Sequence, residues 1–152
     1  MSSDVVTVER VIAAPPEAIF ELLADPAKHP LIDGSGAVEA AKDGGGGRLT
    51  LGSTFGMSMR AGLPYSMVNT VIEYEENRRI TWQTRAPGLA GSIVGGRIWR
   101  YELERVDGGT RVRESWDITK DRQRLGLRLL GFPARTRENM EKTLERIAQL
   151  VE

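Results

Sequence analysis

The chain has 152 residues, of which 40% are hydrophobic and 28% are charged, a composition typical of a globular domain. Lys plus Arg and Asp plus Glu each number 21, which argues against nucleic acid as a main partner, because phosphate contacts require a basic excess. The absence of cysteine excludes disulfides, thiol nucleophiles and cysteine-ligated zinc. We see no signal peptide and no membrane span, and therefore expect a cytoplasmic protein whose residues 1–152 form a single domain.

The chain is predicted to begin with one strand and two short helices. Residues 4–13 are rich in β-branched side chains and alternate loosely, which indicates a strand. The prolines in the segment 14–17 suit the first turn of a helix, and Phe20 lies on its apolar face. Residues 27–32 are expected to form one further helical turn.

Six more strands are predicted from alternating patterns separated by turn residues. Their ranges are 36–42, 48–60, 65–74, 79–85, 97–106 and 110–119. The glycines at 44–47 are expected at a loop tip, since no Lys-Ser or Lys-Thr follows them as a phosphate-binding loop requires. The glycine-rich connection 86–96 carries Leu89, Ile93 and Val94, and it could be either a mobile flap over a pocket or a disordered hairpin.

Residues 133–151 carry the clearest helical pattern in the chain. Its apolar stripe repeats at spacings of three and four, with Ala148 and Leu150 expected to widen it. The stripe consists of Met140, Leu144, Ile147 and Val151. Strands joined by short turns form an antiparallel sheet, and a long helix lying on that sheet gives a two-layer α+β domain. A bent sheet around one helix rarely fills its middle, so we expect an apolar pocket there.

Large apolar side chains are expected on the inner faces of several predicted elements. Each one alone is most simply explained as core, but together they suit an adaptable ligand pocket, because methionine is flexible and aromatic rings are broad. The candidate ligand-binding residues are Phe20, Phe55, Met57, Met59, Asn69, Trp82, Trp99, Tyr101, Glu114, Trp116, Met140 and Leu144.

Glu114 is the sharpest polar anomaly, because the strand alternation places it on the inner face. A buried carboxylate is costly unless it is paired or protonated. The favoured explanation is a salt bridge at the rim of the sheet, to Arg97 or Arg60. The alternative is a polar anchor or general acid–base facing a ligand carbonyl, which makes Glu114 the candidate catalytic residue. Asn69 and Glu73 pose the same question about which face they occupy.

The remaining polar residues predict no further chemistry. His29 is the single histidine and is expected in helix-end packing or at the surface. No Gly-x-Ser-x-Gly elbow accompanies it, and one histidine without cysteine makes a metal site improbable. We expect no metal and no cofactor.

The chain resembles the START/Bet v 1-like (SRPBCC) superfamily, and within it the bacterial polyketide cyclase/dehydrase and lipid-transport group. The residues that carry the resemblance are Ala14-Pro15-Pro16-Glu17 with Ile19-Phe20, Leu23-Ala24-Asp25-Pro26 with His29-Pro30, Arg79-Ile80-Thr81-Trp82, Trp99-Arg100-Tyr101-Glu102-Leu103, and Gly108-Gly109-Thr110-Arg111-Val112 with Glu114. The resemblance implies a helix-grip fold, a curved seven-stranded antiparallel sheet around the C-terminal helix. Many relatives have tryptophan shortly after the His-Pro pair, where this chain has Ile32.

The resemblance also implies the function classes to consider, since the superfamily includes ligand carriers and aromatase/cyclases. We favour binding or transport of a small hydrophobic molecule such as a lipid, an isoprenoid or a polyketide-like compound in an internal cavity. The alternative is a cyclase/dehydratase-type enzyme with Glu114 as acid or base and with Tyr101 and Trp99 positioning a polyketone.

A basic segment, residues 120–137, gives a third hypothesis. It contains six Lys or Arg side chains against the single Asp121, interleaved with leucines. Within it, residues 121–130 are expected to form a short helix. The segment could be a solvated face over the core, a peripheral contact with an anionic membrane, or a docking site for an acidic partner such as a carrier protein. We expect either a monomer or a homodimer.

Overall fold

The computed structural model describes residues 4–35, 38–41, 47–61 and 63–152, with the backbone alone at 38–41, 57–61 and 63–65. In chain order the strands are β1 (Val5–Ile12), β2 (Val38–Ala41), β3 (Thr54–Ala61), β4 (Leu63–Glu75), β5 (Arg79–Arg85), β6 (Gly95–Val106) and β7 (Gly109–Asp117). The helices are α1 (Pro16–Ala24), α2 (His29–Ile32), α3 (Arg124–Leu129) and α4 (Phe132–Val151). Both predicted short helices therefore follow the first strand, and a 3₁₀ turn at 26–28 separates them.

The strands form one curved antiparallel sheet in the order β1-β7-β6-β5-β4-β3-β2. Each strand from β2 to β6 lies beside the strand that follows it in the chain, whereas β1 lies beside β7. In that last pair Val8 lies opposite Glu114. The sheet and the long terminal helix confirm the predicted α+β helix-grip fold.

α4 buries its predicted stripe against β1, β7 and the other helices. Met140, Leu144 and Ala148 are each 1% exposed. The prediction that Leu150 widens this stripe is wrong, because Leu150 is 51% exposed. It lies roughly a quarter of a turn away from the centre of the stripe, at 3.6 residues per turn. Gly131 precedes α4 with a φ of 76°, a left-handed conformation that glycine adopts at little cost and that separates α3 from α4.

The loop after α2 touches the backbone of α4 directly. The Gly34 N–H donates to Thr143 Oγ1 at 2.8 Å, and a Cβ at Gly34 would lie 2.1 Å from the carbonyl oxygen of Asn139. Only glycine permits this approach. Arg146 also donates to the carbonyl oxygen of Asp33 at 2.5 Å. These contacts hold α2, and with it His29, over the inner side of the sheet.

The predicted strand 48–60 is wrong over its first residues, because β3 begins at Thr54. Leu49 is 3% exposed, and its N–H donates to the carbonyl oxygen of Ala24 at 2.7 Å, at the end of α1. Backbone bonding to β4 starts only with Gly52, whose N–H donates to the carbonyl oxygen of Val71 at 2.9 Å. The predicted strand 36–42 is seen at 38–41. Apart from Gly47, the predicted glycine-rich tip lies outside the described residues.

The connection between the antiparallel neighbours β5 and β6 contains a 3₁₀ turn, Gly88–Ser92. Its apolar side chains face solvent, and Leu89 is 95% exposed. Gly95, at the start of β6, is held to Gln123 by a hydrogen bond of 2.8 Å from its N–H to Oε1. Whether this connection moves as a flap stays a prediction.

Candidate functional site

Four aromatic rings meet around Trp82 on the inner side of the sheet. His29 stacks on Trp82 with 5.1 Å between ring centroids and an interplanar angle of 22°. Phe55 meets Trp82 edge-on at 5.5 Å, and Tyr101 is tilted against it at 5.6 Å. None of the four is more than 9% exposed. Aromatic pairs contribute about 0.5–1.5 kcal/mol each beyond area burial, so this cluster forms a rigid wall.

The strand registers explain why residues far apart in sequence share this wall. β5 and β6 pair with Trp82 opposite Trp99 and Ile80 opposite Tyr101. Because side chains alternate between the two faces of a strand, Trp82 and Tyr101 emerge on the same face as diagonal neighbours. His29 reaches them from α2, on the helical side.

Tyr101 and Glu114 occupy opposed positions on β6 and β7. The Tyr101 hydroxyl donates to Glu114 Oε2 at 2.8 Å. Glu114 is 1% exposed, and its second oxygen, Oε1, has no hydrogen-bond partner among the residues that the structure describes. The inward position inferred from strand alternation is therefore confirmed.

The favoured sequence-based explanation of Glu114, a rim salt bridge to Arg97, is wrong. Arg97 instead pairs with Asp121, whose Oδ2 lies 3.1 Å from Arg97 Nε. Asp121 is 3% exposed, and its buried carboxylate is neutralised by Arg97 at the start of β6. Glu114 makes no ion pair with any side chain in the described part of the chain, and the Arg60 side chain lies outside it.

The surroundings of Glu114 favour its protonated form. Burial raises the pKa of Glu114 to about 8, the hydrogen bond from Tyr101 opposes this rise, and the charge of Asp33 adds to it. Burial, followed by the neighbouring charge of Glu114, raises the pKa of Tyr101 well above its usual value. At neutral pH the pair is therefore mostly an uncharged phenol donating to an uncharged carboxylic acid.

A bulge in β4 decides which faces Asn69 and Glu73 occupy. Its register against β5 shifts between Val71 and Glu73. Asn69 is 6% exposed and accepts a 2.6 Å hydrogen bond from the Thr84 hydroxyl on the inner face. Glu73 lies on the outer face, where it accepts from Arg100 Nε at 2.7 Å. Of these two, only Asn69 belongs to the candidate site.

The other predicted ligand-binding residues lie around this cluster. Trp99 is half-buried, and its ring centroid lies 6.3 Å from that of Trp116, which is 1% exposed. Phe20 is fully buried on α1 and meets Tyr74 edge-on at 5.7 Å, apart from the Trp82 cluster. Met140 and Leu144 are buried on α4. The side chains of Met57 and Met59 lie outside the described residues, although the β3 backbone keeps both in alternation with Phe55.

His29 is the site residue that sequence reasoning missed. It is 6% exposed, and its Nε2 donates to the carbonyl oxygen of Leu23 at 2.8 Å. Burial lowers the pKa of His29, against smaller opposing contributions from that hydrogen bond and from Asp25 and Asp33. A neutral imidazole is therefore one wall of the aromatic cluster. The neighbours Lys28 and Pro30 indicated a helix end, and no local pattern indicated that the ring faces the sheet.

A cavity of about 700 Å³ lies elsewhere, between the β4–β5 turn, the outer sides of β6 and β7, and the start of α1. Charged side chains dominate its lining, and they pair with one another, as Arg79 does with Glu102 at 2.9 Å and Arg105 with Glu17 at 3.1 Å. No residue of the Trp82 cluster lines it. With this charged lining, the cavity is not the apolar pocket that the sequence predicts between the sheet and the helix.

The sequence and the fold of this chain can be compared with those of known proteins. The profile of the family described as polyketide cyclase/dehydrase and lipid transport matches residues 3–152. The chain belongs to this family. Membership confirms the resemblance to the START/Bet v 1-like superfamily that the sequence motifs indicated.

The chain is similar to curated proteins and to solved structures. It is 30% identical to uncharacterized protein Rv0088 of Mycobacterium tuberculosis, over 90% of this chain and 59% of Rv0088. The chain thus spans 59% of the length of the curated relatives that it matches. Protein CV1439 of Chromobacterium violaceum superposes with a TM-score of 0.70 at 18% identity, covering 98% of this chain and 97% of CV1439. Protein Ms6760 of Mycobacterium smegmatis superposes with a TM-score of 0.71 at 16% identity, covering 96% of this chain and 89% of Ms6760.

Two further features of this family member concern metals and membranes. Among the described residues, no three His, Asp or Glu side chains are grouped so that they could hold a metal ion. In the same part of the chain, the helices are all too short or too polar to cross a bilayer.

Proposed function

We propose that the protein binds a small hydrophobic ligand in a cavity between the sheet and α4, with Glu114 as the anchor for an oxygen atom of that ligand. The ligand class is a lipid, an isoprenoid or a polyketide-like aromatic that carries a carbonyl or similar acceptor. The observation that carries the proposal is the buried Glu114 Oε1, which lacks a hydrogen-bond partner among the described residues. The family description, which includes lipid transport, supports the same class.

The chemistry of the unpartnered oxygen points to an acceptor on the ligand. Oε2 of Glu114 already accepts a hydrogen from Tyr101, so the acid proton belongs on Oε1. A buried donor without an acceptor costs about 1–3 kcal/mol, and such groups are rare in native proteins. A ligand carbonyl at this position would remove that cost. Hydrocarbons of the same shape would not.

The other proposed contacts are apolar. The Trp82 cluster supplies a rigid aromatic wall, and Met57 and Met59 are proposed to add flexible contacts that adapt to the ligand. The full set of proposed ligand-contacting residues is Phe20, Phe55, Met57, Met59, Asn69, Trp82, Trp99, Tyr101, Glu114, Trp116, Met140 and Leu144. One polar anchor among mostly apolar walls is the usual composition of a small-molecule site.

A cyclase/dehydratase-type enzyme is the second candidate, and one observation favours it. Burial raises the pKa of Glu114 to about 8, near the neutral pH at which a general acid–base works best. In this reading Tyr101 and Trp99 would hold a flexible polyketone in a reactive conformation, and positioning would supply most of the rate enhancement.

A matched pair of probes tests the proposed binding. Intrinsic fluorescence of the three tryptophans would report titration with 2-acetylnaphthalene and with 2-ethylnaphthalene, which differ in one carbonyl oxygen. A neutral hydrogen bond contributes about 1 kcal/mol, so the ketone should bind roughly fivefold more tightly. Equal affinities, or no binding of either probe, would refute the anchor role.

Two substitutions at one position separate the carrier from the enzyme. In Glu114→Gln the amide can still accept from Tyr101 and donate to a ligand, so binding should persist while proton transfer is lost. In Glu114→Leu the preference for the ketone should disappear. Turnover of a polyketone by wild type that is abolished in Glu114→Gln would favour the enzyme, whereas unchanged ligand binding without any turnover favours the carrier.

A further inference from the structure

Exposed aliphatic side chains are concentrated on two segments of the surface, the β5–β6 connection and α3 with its flanks. Of the twelve exposed large hydrophobic side chains in the described residues, six lie there. They are Leu89 (95% exposed), Ile93 (66%), Val94 (38%), Leu125 (64%), Leu129 (87%) and Leu130 (69%). Single exposed leucines are ordinary, but a cluster of this kind marks an interaction surface. We call these six residues the aliphatic patch.

Hydrogen bonds join the two segments side by side. Gln123 bridges them, because its Oε1 accepts from the Gly95 N–H at 2.8 Å and its Nε2 donates to the Ile93 carbonyl oxygen at 2.7 Å. The Arg122 N–H also donates to the Gly95 carbonyl oxygen at 2.9 Å. The leucines of α3 and the apolar residues of the connection therefore belong to one surface of the protein.

Cations border the aliphatic patch. The segment 120–137 contains six Lys or Arg residues and one acid, Asp121, although the chain as a whole has 21 of each sign. Asp121 is buried and bonded to Arg97, so it does not offset the outer charges. Arg128 pairs with Asp4 at 3.4 Å, whereas Lys120 and Arg122 have no ion-pair partner among the described residues. The border of the patch therefore keeps an excess of positive charge.

We propose that the aliphatic patch and its basic border bind the surface of an anionic lipid bilayer. Basic side chains attract anionic headgroups, and protruding aliphatic side chains enter the boundary between headgroups and acyl chains. Leu89 and Leu129 protrude almost fully, as insertion requires. Leucines on one side and Lys or Arg on the other are the composition of helices that lie at a bilayer surface, and this favours a bilayer as the partner.

Vesicle flotation with the intact chain tests this proposal. We expect binding to phosphatidylcholine vesicles that contain phosphatidylglycerol and little binding to pure phosphatidylcholine. The binding should weaken between about 0.1 M and about 1 M salt, where the Debye length falls from about 10 Å to about 3 Å. Binding that ignores both lipid charge and salt would overturn the proposal, as would no binding to either vesicle.

Matched variants distinguish binding through the aliphatic patch from non-specific adsorption to vesicles. Leu125→Ser combined with Leu129→Ser should weaken binding roughly tenfold or more, because it removes aliphatic side chains that enter the bilayer. Arg122→Glu combined with Arg124→Glu should weaken binding by a similar factor or more, since each basic residue contributes a factor of about five. Leu51→Ser, a leucine 65% exposed on another surface, and Arg10→Glu are the controls and should bind as wild type does. Equal losses in controls and patch variants would overturn the proposal. Thermal unfolding by circular dichroism confirms that each variant is folded.

A partner other than lipid gives a different result in the same experiments. If the patch joins two copies of the chain, size-exclusion chromatography will show a dimer that the leucine variants dissociate, and vesicle binding will be absent. That outcome would also contradict the proposal.

Discussion

The Tyr101 hydroxyl oxygen lies 2.8 Å from Glu114 Oε2, and the two residues face each other across β6 and β7. The phenol therefore satisfies one oxygen of a buried acid and leaves the other facing the interior without a partner among the described residues. Burial accounts for the unusual protonation of Glu114, which the hydrogen bond from Tyr101 opposes, and the role proposed for Glu114 rests on its unpartnered oxygen.

The first prediction concerns the pH dependence of stability. Because the folded-state pKa of Glu114 is raised from 4.5 to about 8, the folded protein keeps a proton that the unfolded chain has released between these values. The free energy of unfolding of wild type should therefore fall relative to Glu114→Gln as pH rises through this window, by up to about 1.4 kcal/mol per pH unit. Urea unfolding of both proteins across the window measures the difference, and a constant difference would contradict the raised pKa.

The second prediction concerns the partner of that acid. Tyr101→Phe removes the donor to Oε2 and should cost about 1–3 kcal/mol of stability, the penalty for an unsatisfied buried group. It should also raise the pKa of Glu114 further, because the hydrogen bond from Tyr101 lowers it. Carbon-13 NMR titration of the Glu114 carboxyl measures that shift. Tyr74→Phe is the matched control, since its hydroxyl bonds to Arg48 and Glu76 at the surface and should cost less than about 1 kcal/mol. Equal costs in the two variants would count against the buried pair.

The third prediction compares two tryptophans of the proposed ligand-contacting set that differ in burial. Trp82 contacts three rings and is 8% exposed, so Trp82→Ala should cost about 3–5 kcal/mol, the usual range for a buried aromatic. Trp99 is half-buried, and Trp99→Ala should cost clearly less while weakening binding of 2-acetylnaphthalene. Denaturant unfolding and probe titration measure the two effects. A cost at Trp82 no larger than the cost at Trp99 would contradict the close packing of the Trp82 cluster.

The fourth prediction uses the single histidine as its own reporter. Burial lowers the pKa of His29, so the folded protein resists a proton that the unfolded chain takes up near pH 6.5. The stability that the neutral ring contributes is present above that pH and is lost as the pH falls towards the lowered pKa of the folded state. One imidazole C–H resonance in the proton NMR spectrum should titrate below pH 6.5. Titration at or above that value would show that the ring is solvated.

Much of the architecture was predictable because periodicity alone decides it. The alternation over 79–85 gave the bounds of β5, and the spacing of Met140, Leu144 and Ile147 gave the buried face of α4. The same parity argument placed Glu114 inside. These features depend on neighbours within a few residues, which is the range that a sequence pattern describes.

The errors have long-range causes. Arg97 on β6 pairs with Asp121, which follows β7 in the chain. No local pattern indicates that the partner of Arg97 is Asp121 rather than Glu114. The bulge between Val71 and Glu73 reverses parity in β4, which left the face of Glu73 undecided. His29 lies inside the fold, and the loop after α2 packs against α4 at Gly34, far along the chain. Each of these outcomes depends on contacts that the local sequence does not encode.

Native mass spectrometry of the purified protein, before and after incubation with a bacterial lipid extract, measures directly whether the interior holds a ligand. We expect a folded species that carries one small apolar molecule, with an oxygen in that molecule and with lower occupancy in Glu114→Leu than in Glu114→Gln. A folded protein that has only its bare mass before and after incubation would contradict it, as would equal occupancy in the two variants.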